Sequence, residues 1–251
     1  MSNPWETLEG RVLLSASLQA GTLRIFGTAG DDQIKLSHPL IAATQIDPSR
    51  TLVEVNGQQY FFKTSRIRVI KINALQGDDT IKVGAAPPLA CRPGCAMPER
   101  IDFTVFSEAI PTLLVGGSGA DSIIGGFGRD RIFGGDGNDT MFGGLGKDLL
   151  DGGEGDDSLD GGSDNDVLIG AAGNDSLDGL AGDDQLFGGV GDDTIRANSA
   201  KDVLSGGDGQ DLLKYPVYFQ TIDGSVIAPA FKVPADIESQ ESFRYVAVRR
   251  R

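Results

Sequence analysis

The sequence predicts an all-β chain wound as a solenoid, and three observations carry that prediction. A nine-residue period runs without insertion or deletion from Gly116 through Lys214, which makes eleven units. Glycine supplies 36 of the 251 residues, about twice ordinary usage, with no three-residue period of the collagen kind. Each unit closes on a short run with one aliphatic residue in its middle, a minimal strand that points one apolar group inward.

With Gly116 as position one, position six is aspartate in all eleven units: Asp121, Asp130, Asp139, Asp148, Asp157, Asp166, Asp175, Asp184, Asp193, Asp202 and Asp211. Position eight is Ile, Leu or Met from Ile123 to Leu213. Position one is glycine except at Ala197, and position four except at Asp164 and Ala200. Six residues of each unit therefore read as turn and three as strand, so two units close one coil and the turns stack in a row down each side. Glycine at positions one, two and four permits positive φ and close backbone approach, which lets the turn carbonyls converge. The aspartate adds a hard anionic oxygen, and carbonyl plus carboxylate oxygens are the ligands that Ca²⁺ prefers.

Charge leads to the same ion. Residues 116–214 hold twenty Asp and one Glu against six Lys or Arg, a net of −15, while the whole chain is at −14. Rungs stacked about 4.8 Å apart bring like carboxylates together at about 0.9 kcal/mol per pair even in water. Cations have to sit between them.

The pattern GGxGxDxUx over 116–214 resembles the calcium-binding repeat of the RTX (repeat-in-toxin, hemolysin-type) family. The resemblance implies a parallel β-roll, a right-handed β-solenoid, with each calcium ion between neighbouring turns of one row and shared by units n and n+2. The eleven aspartates named above are then the metal residues. At a Kd on the order of 10⁻⁴ M and millimolar calcium, each site adds about 1.4 kcal/mol. About nine shared sites would give on the order of 13 kcal/mol, a whole domain's stability. The roll is expected to be disordered or molten without calcium and folded with it. Unit 197–202, ANSAKD, lacks three turn glycines and is expected to bind poorly. Ala171 and Leu180 interrupt position two, where a tilted turn is expected, and Asp164 reads as an exposed acid in a loosened turn.

The remaining segments follow in chain order. Residues 1–21 form a leader-like segment, in which Leu8–Ala16 (LEGRVLLSA) resembles an N-terminal signature of large secreted or surface bacterial proteins. Residues 22–115 read as a looser, wider solenoid that narrows into the roll. Gly27–Lys35 fits the repeat at positions one, four, six and eight, and Gln76–Lys82 at four, six and eight. Asp32 and Asp79 are read first as turn formers, with calcium binding as the alternative. Thr51–Asn56, Tyr60–Lys63, Arg66–Ile72 and Ile101–Phe106 read as strands, with Asn56-Gly57 as a hairpin turn. A Pro/Cys loop over 84–100 interrupts them. Its Cys91 and Cys95 are expected to form a disulfide, with two free thiols as the alternative. In the segment 215–251, Tyr215–Gln220 and Ser225–Lys232 read as capping strands and Arg249–Arg251 as a solvated basic tail.

Several functions are excluded or disfavoured. The net charge of −14 argues against nucleic acid and anionic membranes. No apolar run approaches the roughly 18 residues of a membrane span. The single histidine, His38, rules out an HExxH zinc site, and no GxSxG elbow occurs. No enzyme activity is expected. The reading is a secreted or cell-surface structural module that calcium ions fold and stiffen. The alternative is a calcium-dependent recognition module for polysaccharide or another cell-surface component.

Overall fold

The computed structural model describes residues 15–37, 40–42, 45–46, 49–84, 110–199, 201–216, 220–222, 225–227 and 243–249. Among these the chain is nearly all strand, and the one helical element is a 3₁₀ turn at Thr64–Arg66. Two long sheets run through the described residues, and every coil gives one strand to each. The first sheet stacks Thr22–Phe26, Val69–Gln76, Thr112–Ser118, Asp130–Asp136, Leu149–Glu154, Val167–Ala172, Gln185–Val190 and Val203–Asp208, all parallel. The second stacks Gln33–Ser37, Thr80–Val83, Ser122–Phe127, Thr140–Leu145, Ser158–Ser163, Ser176–Ala181, Thr194–Arg196 and Gln210–Pro216. Residues 112–214 thus form about six turns of a parallel β-solenoid, and two further coils precede them.

The period explains the register. From Thr112 onward each strand pairs with the residue eighteen positions on, as Ile123 with Met141 and Leu150 with Leu168. The position-eight aliphatics consequently stack in two facing columns, buried from Leu114 through Ile195. One buried apolar side chain per nonad makes a hydrophobic core one residue thick.

The N-terminal coils differ from the expected wider solenoid. They share the same two sheets, and the spacing across the first row of turns is the repeat's own: Ile25 to Ile34 and Ile72 to Ile81 are nine residues apart, like Leu114 to Ile123. Insertions enter only on the opposite side. One holds the antiparallel hairpin Arg50–Val55 and Gln58–Lys63, turning on Asn56 (φ 48) and Gly57 (φ 78) as the sequence predicts. The other begins beyond Gly84. Cys91, Cys95, His38 and Ile101–Phe106 lie outside the described residues.

The second sheet is covered at both ends by antiparallel strands and the first at its N-terminal end, while Val203–Asp208 is the last strand of the first sheet among the described residues. Ser15–Gln19 folds back on Thr22–Phe26, so part of the leader-like segment is a cap. Arg50–Val55 covers Gln33–Ser37. At the other end the cover is Phe243–Arg249 against Gln210–Pro216, a strand that the sequence does not predict. Arg249 belongs to it and not to a tail. Gln220–Ile222 and Ser225–Ile227 pair with each other as a separate hairpin.

Interrupted turns keep their shape. Ala171 (φ 81), Leu180 (φ 61) and Asp164 (φ 75) adopt the left-handed backbone that glycine holds elsewhere, so the turn at Asp164 is strained and not loosened. An L-residue there costs roughly 1–2 kcal/mol. Ala171→Gly is therefore expected to raise stability in saturating calcium by about 1 kcal/mol. A denaturant midpoint that stays put or falls would show that Ala171 carries no strain.

Candidate metal centre

Position-six aspartates occupy two buried columns. The first column is Asp32, Asp79, Asp121, Asp139, Asp157, Asp175, Asp193 and Asp211, each at most 3% exposed. The second is Asp130, Asp148, Asp166 and Asp184, also buried, followed by the half-buried Asp202. Thr112 holds the next place up the second column, and its N–H and hydroxyl both donate to Asp130 Oδ1 (3.1 and 2.9 Å). Above Thr112 stand Ile70 and Leu23, so hydrocarbon replaces carboxylate on that side of the N-terminal coils.

Within each column the two carboxylate oxygens have different roles. Oδ1 accepts the backbone N–H of the aspartate one coil earlier: Asp121 N–H donates to Asp139 Oδ1, Asp139 to Asp157, and Asp148 to Asp166, at 2.7–2.8 Å. Oδ2 is buried and without a hydrogen-bond partner in Asp79, Asp121, Asp130, Asp139, Asp148, Asp157, Asp166, Asp175, Asp184 and Asp193. In the repeats it packs against the position-one glycine of its own unit, where a Cβ would collide with it, as at Gly134 beside Asp139; beside Asp79 that position is Ala74. The positive-φ glycines at positions two and four stack with comparable closeness. A Cβ on Gly137 would strike the Gly119 carbonyl, and one on Gly135 the Gly117 carbonyl. Glycine is favoured here because carbonyl oxygens of one coil face the backbone of the next, though Leu75, Ala171, Leu180 and Asp164 hold the same turn shape.

Ten buried carboxylate oxygens without donors are costly unless something compensates them. On the protein's own charges alone, burial and then neighbouring carboxylates push Asp139 and Asp79 up to about 7 and Asp166 up to about 8. Burial also raises Asp157, Asp175, Asp184 and Asp193 to about 6. A folded-state value above the unfolded one means that the folded chain holds more protons. Metal-free stability is then fully present below about pH 4 and falls as pH rises toward 6 to 8. Calcium needs the ionised form, so its binding releases protons. In calcium-stripped buffer the roll is expected to be more stable at pH 4.5 than at pH 7.5, and with calcium the order should reverse. Thermal melts monitored by circular dichroism check this; a metal-free stability that rises with pH would contradict it.

The two rows of turns are chemically unequal. The eight turns ending at Asp32, Asp79, Asp121, Asp139, Asp157, Asp175, Asp193 and Asp211 carry fifteen acidic side chains and no basic one. The five turns on the opposite edge carry seven acidic and three basic ones, Arg129, Lys147 and Lys201. Along the acidic edge the exposed position-five residues add a ladder of their own, with Asp156 N–H donating to Asn138 Oδ1, Asn174 to Asp156 and Asp192 to Asn174.

Asp32, Asp202 and Asp211 lie outside that set of ten, and the first two have donors to Oδ2. Asp202 Oδ2 accepts the N–H groups of Asn198 and Ser199 (3.0 and 2.9 Å), in the unit whose position one is the buried Ala197. Asp32 Oδ2 accepts Thr28 N–H, and its Oδ1 accepts the Asn56 amide. Asp164 is exposed, as expected. The structure brings Asp32 and Asp79 into line with the repeats, where the sequence favours plain turn formers.

No three His, Cys, Asp or Glu side chains converge as a metal site among the described residues. An ion here would take one or two carboxylates and complete its shell with turn carbonyls. That is an all-oxygen donor set, suited to calcium and lacking the nitrogen and sulfur of zinc sites. Phe133 and Phe187 lie on the first sheet with two strands between them, and Phe142 on the second, so they build no aromatic platform.

Comparison with known proteins agrees with the geometry. The family model of the RTX calcium-binding nonapeptide repeat matches in four overlapping copies, at residues 115–150, 142–177, 151–186 and 178–213. No curated protein matches the chain. No helix among the described residues is long and apolar enough to cross a membrane.

Proposed function

From the identity of residues 115–213 as RTX calcium-binding nonapeptide repeats, we propose that this chain is a structural module whose β-roll is folded and stiffened by calcium outside the cell. The observation that carries the reading is the column of buried Oδ2 atoms without donors, repeated coil after coil beside glycine-rich turns. Asp121, Asp130, Asp139, Asp148, Asp157, Asp166, Asp175, Asp184 and Asp193 would hold the ions together with turn carbonyls. Asp211 would close the acidic edge, and Asp202 would contribute least. Calcium supplies positive charge to oxygens that the fold has already dehydrated and aligned. The chain's own residues do the rest: glycines admit the close approach, Oδ1 fixes each carboxylate to the coil above, and the aliphatic columns hold the sheets face to face.

A millimolar-calcium compartment is the setting in which weak sites of this kind fill, so the module is read as secreted or displayed at a cell surface. No catalytic step is assigned to it. The test is far-UV circular dichroism during a calcium titration from chelator, with magnesium as control. A cooperative gain of β signal with calcium alone supports the reading, and a spectrum indifferent to calcium overturns it.

A further inference from the structure

The acidic edge continues past the point where the matched repeats begin. Turn 74–79 reads ALQGDD and keeps only Gly77 and Asp79 of the repeat's turn signature. It precedes turn 116–121 by 42 residues instead of eighteen. Its backbone nevertheless has the repeat's form, with Leu75 at φ 83 and Gly77 at φ 117. Stacking is as close as in the roll: a Cβ on Gly117 would strike the Leu75 carbonyl, and one on Gly119 the Gly77 carbonyl. Gly77 N–H donates to the Ser118 carbonyl at 2.8 Å, the bond that Gly119 makes to Asp136 one coil on.

Asp79 has the surroundings of a repeat aspartate. It is 2% exposed, its N–H donates to Asp121 Oδ1 at 2.8 Å, and its Oδ1 accepts Asp32 N–H at 2.7 Å. Its Oδ2 is buried and has no partner. One coil higher the situation changes. Asp32 Oδ2 takes Thr28 N–H at 2.5 Å, and its Oδ1 takes the Asn56 amide at 2.5 Å, while Asn56 Oδ1 accepts Gln33 N–H at 2.7 Å. The chain's own donors occupy the place that a cation would fill.

We propose that a further divalent cation site lies between turns 74–79 and 116–121, held by Asp79 and Asp121 with turn carbonyls, and that the Asn56 hairpin caps the ladder above it. The site rests on the calcium reading of the repeats and takes the same ion. Its position sets it apart, because it ties the N-terminal coils to the repeat block across the insertion at 85–109. An apolar second column (Leu23, Ile70) leaves those coils no equivalent ion on the other side.

The test uses the full chain and calcium itself, counting bound ions by equilibrium dialysis and following amide exchange in saturating calcium. Asp79→Asn keeps an acceptor for Asp32 N–H while removing the anionic oxygen, and Asp79→Ser serves if that variant does not fold. Unchanged exchange over 130–193 confirms an intact roll. The expected result is one calcium fewer than wild type and about tenfold faster exchange over 69–83. Asp32→Asn is expected to leave the count unchanged. A full count in a folded Asp79 variant overturns the site, and a lost ion in Asp32→Asn overturns the cap. A wild-type chain that binds no calcium would instead sink the functional reading on which both rest.

Discussion

Withdrawing calcium is expected to abolish the β-sheet circular dichroism of the repeat block, and returning it to sub-millimolar or millimolar levels should restore that signal cooperatively. Magnesium should fail, because it demands compact octahedral geometry and dehydrates reluctantly, whereas calcium accepts the larger, looser oxygen shells that stacked turns offer. The size of the effect follows from the thinness of the core. One aliphatic side chain per nonad buries too little apolar surface to offset the ordering of nine backbones. Hydrogen bonds between rungs recover part of that difference. They do so against a net charge of −15 over 116–214 and against buried carboxylates that burial itself drives toward protonation. A complete β spectrum in chelator at pH 7.5 would show that packing alone suffices and would reduce calcium to an accessory.

The second large effect separates the two oxygens of one carboxylate. In saturating calcium, Asp157→Ala is expected to destabilise the roll by about 2–4 kcal/mol, and Asp157→Asn by clearly less. Alanine removes the buried Oδ2 and also the acceptor of Asp139 N–H, a 2.7 Å bond. An orphaned buried N–H costs roughly 1–3 kcal/mol, on top of about 1.4 kcal/mol for each ion no longer held. Asparagine keeps the amide oxygen for Asp139 but sets an NH₂ where the ion's ligand was. Urea melts of the two variants and of Asp164→Asn, an exposed control, measure the split. Equal losses for Ala and Asn would mean that Oδ1 contributes nothing of its own. A wild-type midpoint for Asn would mean that no cation depends on Oδ2.

The period made the sheets, the eleven aspartates and the aliphatic columns legible, because each is a strict function of position within nine residues. What escaped belongs to places where the pairing leaves that period. Asp79 has no flanking repeat glycines at Ala74 or Leu75, yet its turn is held in the repeat's shape by the coil stacked on it. Thr112 could not be recognised as the end of the second column, since only the register Thr112 to Asp130 puts it there. The closing strand Phe243–Arg249 pairs antiparallel with Gln210–Pro216, a long-range choice that no local pattern encodes. In unit 197–202 the missing glycines were visible, but the two turn N–H groups that donate to Asp202 Oδ2 were not.

The change of spacing from eighteen residues to 42 at the Asp79–Asp121 junction also sets an order in time. Loop closure over 42 residues instead of eighteen costs about 0.7 kcal/mol more, a delay of roughly three- to fourfold for that step alone. Coils of the regular block can therefore zip along one another first, each templating the next. Until residues 69–83 dock, strands Thr112–Ser118 and Ser122–Phe127 present a bare parallel edge to solution. A second chain in the same half-assembled condition could add to that edge as readily as the proper coil, so the junction is where swapped or aggregated products would start.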